Sequence, residues 1–191
     1  MRAWVLVLAL AACRSTGRGP YSSTNEATRN TVHAQELNAK AADAITSSPA
    51  EAERLLREAL TADIFFGPAH NNLGVVYLQQ GRLYEAAGEF EWARKLMPGH
   101  PDPRMNLALT LEQAGKTEEA IATYKTALEV WPGHIGSIQA LAKVHVLAAR
   151  PDAHLPEWLQ EVAMRGETEA WRIWARRQLD TGVNLSITTT P

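Results

Sequence analysis

The six histidines His33, His70, His100, His134, His145 and His154 have the widest chemical reach in this chain. Imidazole can ligate a metal or act as acid or base near neutral pH. Their spacing supports none of these roles. No pair forms HxxxH or HExxH, the pattern that puts two ring nitrogens on one helix face around zinc, so no metal site is expected. His100 and His134 occupy the same place in two copies of Pro-Gly-His. Glu118 and Glu119 are adjacent carboxylates, but helix neighbours point to different sides, and acid at a helix start complements its dipole. There is no GxSxG and no glycine-rich turn between strand and helix, and Gly17-Arg18-Gly19 has no strand before it. The sequence therefore predicts no catalytic residue, no enzymatic activity and no cofactor.

The composition narrows the classes further. The 191 residues are 46% hydrophobic, enough for a real core, with 19 basic and 21 acidic side chains interleaved to a net charge of −2. No basic stripe points to nucleic acid and no acidic tract to a charged tail. A single cysteine, Cys13, excludes a disulfide within the chain.

Cys13 ends the segment MRAWVLVLALAAC. Arg2 is followed by a ten-residue apolar run, Ala3 to Ala12. A bilayer span needs about 20 residues, so this run suits the apolar part of a secretory signal instead. Leu10-Ala11-Ala12-Cys13 resembles the lipobox of bacterial lipoproteins. The resemblance implies a signal peptide over residues 1–12, cleavage before Cys13, and a lipid on that cysteine. It also implies an anchored protein of the bacterial cell envelope. Arg14, a residue other than Asp, implies the periplasmic face of the outer membrane if the bacterium has two membranes. Residues 14–32 lack an apolar period, so 13–32 read as lipidated cysteine plus flexible tether, spanning on the order of 25 Å.

Beyond residue 33 the chain repeats itself. Residues 67–100 and 101–134 align without a gap, pairing Leu73 with Leu107, Gly74 with Ala108, Tyr77 with Leu111 and Gly81 with Gly115. The register continues through Ala86 and Ala120, Phe90 and Tyr124, Ala93 and Ala127, Pro98 and Pro132, a period of 34 residues. This pattern resembles the tetratricopeptide repeat. His70 and Arg104 stand at its usual Trp position. Each unit reads as two antiparallel helices, 68–80 and 84–96 in the first, with Gly81 in the turn. Gly74 costs its helix about 1 kcal/mol relative to Ala, so close approach of Phe90 is the expected reason for it. On this view Gly74→Leu overpacks the pair, whereas Gly74→Ala is mild because the next unit carries Ala108.

The flanks, 33–66 and 135–180, are degenerate copies. Ser48, Pro49 and Glu51 form a helix-start signature, with Ala52, Leu56 and Ala59 in repeat positions. Leu141 and Ala142 hold the repeat downstream, and a last helix near 168–180 carries Trp171 and Trp174 on one side. These tryptophans are expected to close the end of the array, with a partner surface or lipid contact as alternatives. The predicted fold is all-α: a right-handed helix-turn-helix solenoid over residues 33–180 and a disordered tail at 181–191.

The resemblance implies a scaffold for protein–protein interaction whose ligand lies along the first helices of the repeats. The matching positions are Asn71, Asn72, Val75, Leu78, Gln79, Met105, Asn106, Leu109, Glu112, Gln113, Gln139, Ala140 and Lys143. Asn72 and Asn106, one period apart, are the sharpest candidates, and replacing both is expected to leave stability nearly intact. The implied partner is a segment of another envelope protein. The alternative is a structural subunit of a larger assembly of the pilus, secretion or outer-membrane type. The basic clamp that some family members place on a terminal carboxylate is not reproduced, since Lys143 is its only plausible element.

Overall fold

The computed structural model describes residues 29–181. The signal sequence, Cys13, most of the expected tether and the tail after Thr181 lie outside the described residues. Nine α-helices and no strands occur among those described. In chain order they are α1 (Thr31–Ala44), α2 (Pro49–Ala62), α3 (Gly67–Gln79), α4 (Leu83–Leu96), α5 (Asp102–Gln113), α6 (Thr117–Val130), α7 (Ile135–Leu147), α8 (Leu155–Arg165) and α9 (Glu169–Asp180). They form four antiparallel pairs and a closing helix. Each pair packs internally, each second helix packs on the following first helix, and α1, α3, α5 and α7 touch in succession. This is the all-α helical repeat solenoid expected from the 34-residue period.

The turns explain the repeated glycines. Gly81 and Gly115 have φ of +72° and +76°, left-handed backbone that glycine adopts without steric cost. In both turns the next residue closes the helix end: the Arg82 N–H donates to the Tyr77 carbonyl and the Lys116 N–H to the Leu111 carbonyl, each at 2.9 Å. The third copy keeps the geometry but not the glycine. The Arg150 N–H donates to the His145 carbonyl at 2.9 Å, yet Ala149 carries the positive φ, +50°.

Inside the pairs, Gly74 meets its expected neighbour. A Cβ placed there would lie 2.6, 2.8 and 2.9 Å from Cε1, Cδ1 and Cζ of the fully buried Phe90 ring. Even alanine is thus too large unless the ring moves, which corrects the expectation that Gly74→Ala is mild. His70 occupies the place of the family's Trp. It is buried and stacked on Trp92 at 5.7 Å, with Nδ1 2.6 Å from Glu89 Oε2 and Nε2 2.8 Å from the Ile64 carbonyl. Both ring nitrogens therefore lie within hydrogen-bond distance of an oxygen.

At the amino-terminal end the helix starts earlier than residue 33. The Asn30 side chain accepts from the His33 N–H at 3.0 Å and caps α1, so Thr31 and Val32 are helical. The fully buried Asp63 carboxylate accepts from Arg29 Nε at 2.8 Å and from the Thr31 hydroxyl at 2.7 Å. The same carboxylate accepts from the Phe65 N–H at 3.0 Å. Burial alone would raise the Asp63 pKa, but these bonds outweigh it and hold the carboxyl below its usual range. Ser48 precedes α2 without a side-chain cap bond, so the start of that helix rests on Pro49 at its first turn.

Candidate protein-interaction groove

The first helices place the expected residues in two clefts. Asn71 and Asn72 of α3 line a small one of about 130 Å³ with Pro68, Met97, His100, Asp102 and Pro103. A second, of about 190 Å³, gathers Met105 and Leu109 of α5 and Gln139, Ala140 and Lys143 of α7. It is completed by Gly136, Tyr124, Glu167 and Trp171. Val75 and Leu78 are partly buried against the core of Leu37, Leu56, Leu73 and Phe90, and Gln79 and Gln113 are exposed.

Several of these side chains already have partners within the chain. Asn72 Nδ2 donates to Asn38 Oδ1 at 2.9 Å, and Asn106 Nδ2 donates to Asn71 Oδ1 at 3.0 Å. The asparagines therefore link successive first helices. Their double replacement should cost stability, contrary to the expectation from sequence. Gln139, only 2% exposed, donates from Nε2 to Glu167 Oε2 at 3.0 Å and accepts the Glu167 N–H on Oε1 at 2.6 Å. It holds the α8–α9 connection in place. Glu112 accepts from the Tyr124 hydroxyl at 3.0 Å and pairs with Lys143 Nζ at 2.8 Å. Burial and then the Glu112 charge push the Tyr124 pKa well above the ordinary phenol value, so the ring stays neutral and donating.

What remains open toward the second cleft is a mostly apolar wall of Met105, Leu109, Ala140 and Trp171, with the Lys143–Glu112 pair beside it. Trp171 was expected to close the solenoid. It does so, resting edge-on against Trp174 with centroids 5.3 Å apart and packing on the core of Ile138, Leu155, Leu159 and Val162. It also lines the cleft, which the sequence did not reveal because α9 shows no repeat match. Among the described residues no cluster of three or more His, Cys, Asp or Glu could hold a metal ion, and no helix is long and apolar enough to cross a membrane.

Two models of the tetratricopeptide repeat match the sequence, one over residues 46–101 and one over 77–143. The chain is a tetratricopeptide repeat protein. No curated protein matches its sequence significantly. Among solved structures, pilF of Pseudomonas aeruginosa superposes with a TM-score of 0.67 at 20% identity, covering 81% of this chain and 71% of that one. The first tetratricopeptide domain of Spaghetti (RPAP3), bound to the HSP90 peptide SRMEEVD, gives 0.60 at 19% identity over 64% of this chain and 98% of that one. An O-GlcNAc transferase mutant of Thermobaculum terrenum gives 0.62 at 23% identity over 82% of this chain but 27% of its own. These likenesses establish the fold. Tetratricopeptide repeats typically serve as non-catalytic scaffolds for protein–protein interaction, and that coarse function is the one the family supports.

Proposed function

We propose that this tetratricopeptide repeat protein is a non-enzymatic scaffold, tethered to the bacterial envelope through a lipid on Cys13, that holds a segment of another envelope protein along its first helices. The observation that carries the reading is the cleft between α5 and α7, where Met105, Leu109, Ala140 and Trp171 lie beside Lys143 and Glu112. Apolar side chains on both walls can take a partner's apolar residues, and the adjoining ion pair can orient its polar groups. Support for peptide capture as a mode comes from the Spaghetti domain, whose structure holds an HSP90 peptide. The client here differs in chemistry. Lys143 is already paired with Glu112 at 2.8 Å, so a terminal carboxylate finds no free cation from it.

The competing reading, a subunit of a larger assembly, relies on apolar surface at the carboxy-terminal end. Trp171 and Trp174 are only partly exposed and pack inward, which leaves Met164 and Ile173 as the large exposed hydrophobic side chains of α8 and α9. The test is pull-down from native envelopes with wild type and Leu109→Glu, a partly buried cleft residue that also packs on the core around Tyr124 and Leu141, so helicity is measured alongside. Loss of a reproducible partner with helicity retained supports the groove. Full retention of that partner, with loss through Ile173→Glu, supports the assembly reading. For the anchor, fatty-acid label must appear on the wild type and vanish in Cys13→Ser.

A further inference from the structure

A larger cleft lies elsewhere, between the second helices. Tyr84, Ala87, Gly88 and Glu91 of α4 and Glu119, Ala122 and Thr123 of α6 wall a trough of about 570 Å³ floored by Leu107 and Leu111 of α5. The volume is about three times that of the α5–α7 cleft, about 190 Å³.

Gly74 and Gly88 of the α3–α4 pair make the contrast. Gly74 is accounted for by Phe90. Gly88 sits in the middle of α4, is exposed, and a Cβ built there would meet nothing within 4 Å. Its helix cost of about 1 kcal/mol thus has no internal counterpart. Its repeat counterpart across the trough, Ala122, is also small and exposed. The flanking joints are bridged. Arg82 reaches Glu53 at 3.2 Å on one side, and Lys125 reaches Asp152 at 2.9 Å on the other, where Arg150 also pairs with Glu118. At this joint the wall carboxylates pair within their own helices, Glu91 with Arg94 at 2.6 Å and Glu119 with Lys116 at 3.1 Å.

We infer that the α4–α6 trough is a second docking site, distinct from the first-helix groove, and that its occupant is an amphipathic helix of a partner protein with aliphatic residues on one face flanked by Lys or Arg. The backbone logic selects a helix. All three lining elements are helices whose main-chain groups are bonded internally, so an extended peptide laid on this apolar floor would bury N–H and C=O groups without partners. A helix satisfies its own. The charge logic selects basic flanks, because the ionisable groups lining the trough are Glu91, Glu119 and the Tyr84 phenol, and the two carboxylates' exposed pairs with Arg94 and Lys116, unlike the more buried Lys143–Glu112 pair, cost little to exchange for a partner's cations.

The probe is a fluorescein-labelled helical peptide of about five turns with Leu at i, i+3, i+4 and i+7 and Lys elsewhere, read by fluorescence anisotropy against the full chain. A Leu/Glu peptide of identical pattern is the control. The inference expects saturable binding of the Leu/Lys peptide and at least about tenfold weaker binding by Gly88→Leu, with circular dichroism unchanged and the melting temperature not lowered. Glu91→Lys with Glu119→Lys should exchange the preference toward the Leu/Glu peptide, which keeps the test open should Gly88→Leu fold poorly. Equal binding by wild type and both variants overturns the inference. So does loss through Leu109→Glu alone, which moves the peptide to the first-helix groove. Self-association in sedimentation that Gly88→Leu abolishes also overturns it, by giving the trough to a second copy of this chain.

Discussion

Adding one methyl group at two glycines of the same helix pair should move stability in opposite directions. Gly74→Ala and Gly88→Ala gain a similar helix propensity, about 1 kcal/mol. At Gly88 that gain stands alone, since nothing lies within 4 Å of the new Cβ. At Gly74 the Cβ would fall 2.6 to 2.9 Å from three atoms of the Phe90 ring, which is fully buried and has little room to retreat. Overpacking of this kind costs about 1–3 kcal/mol. Gly74→Ala is therefore destabilised by roughly 0–2 kcal/mol net, while Gly88→Ala is stabilised by up to about 1 kcal/mol. The difference between the variants cancels the shared propensity and isolates the steric part. Equilibrium urea unfolding followed by circular dichroism measures it, and in melting 1 kcal/mol corresponds to about 2–4 °C for a chain of this size. With Phe90→Leu as background, Gly74→Ala should turn stabilising. Equal stabilisation by both alanines with Phe90 in place would refute the argument that the missing side chain at 74 exists to admit the ring.

Ala149→Gly should stabilise the chain by about 1 kcal/mol, since it relieves an alanine held at φ +50° in the third copy of a turn that otherwise uses glycine; an unchanged melt would contradict this. Asp63 contributes to acid sensitivity. Its folded carboxyl titrates below the usual value, so its stabilisation is complete above about pH 4 and is lost as pH falls below that through the folded pKa. Asp63→Asn should flatten the stability profile below about pH 4 and lower stability at neutral pH by about 1–3 kcal/mol; an acid limb identical to wild type would exclude the bonds to Arg29 and Thr31 as its source. Asn72→Ala with Asn106→Ala should cost about 1–3 kcal/mol for two half-buried amide bonds, read by urea unfolding; no change would mean that the links to Asn38 and Asn71 are idle.

Those amides mark where the sequence stopped being legible. Periodicity put Asn72 and Asn106 on the first helices, because side chains recur on one face at fixed offsets. Their bonding was hidden, since Asn38 lies in a unit whose first helix lacks the repeat signature and Asn71 stands 35 residues from Asn106. Gly81 and Gly115 were legible because positive φ selects glycine. Ala149 was not, since alanine in that turn gives no signal. Gln139 sits at a position matched to the ligand groove, yet the α8–α9 connection folds back over it, and no local pattern foretells a contact 28 residues away. Gly88 and Ala122 escaped notice for the opposite reason. Small exposed residues on a helix look like ordinary surface until the neighbouring helix shows the space between them.

The central claim is that a partner segment lies along the first helices at the α5–α7 cleft. Its most direct test is a photocrosslinking residue at Leu109, activated in intact cells of the organism that encodes the protein, with the adduct mapped by mass spectrometry. The account predicts one envelope protein joined through one segment, and loss of that adduct when Trp171 is changed to Glu. Adducts absent at position 109 but abundant from Ile173 on the outer side of α9 would contradict it.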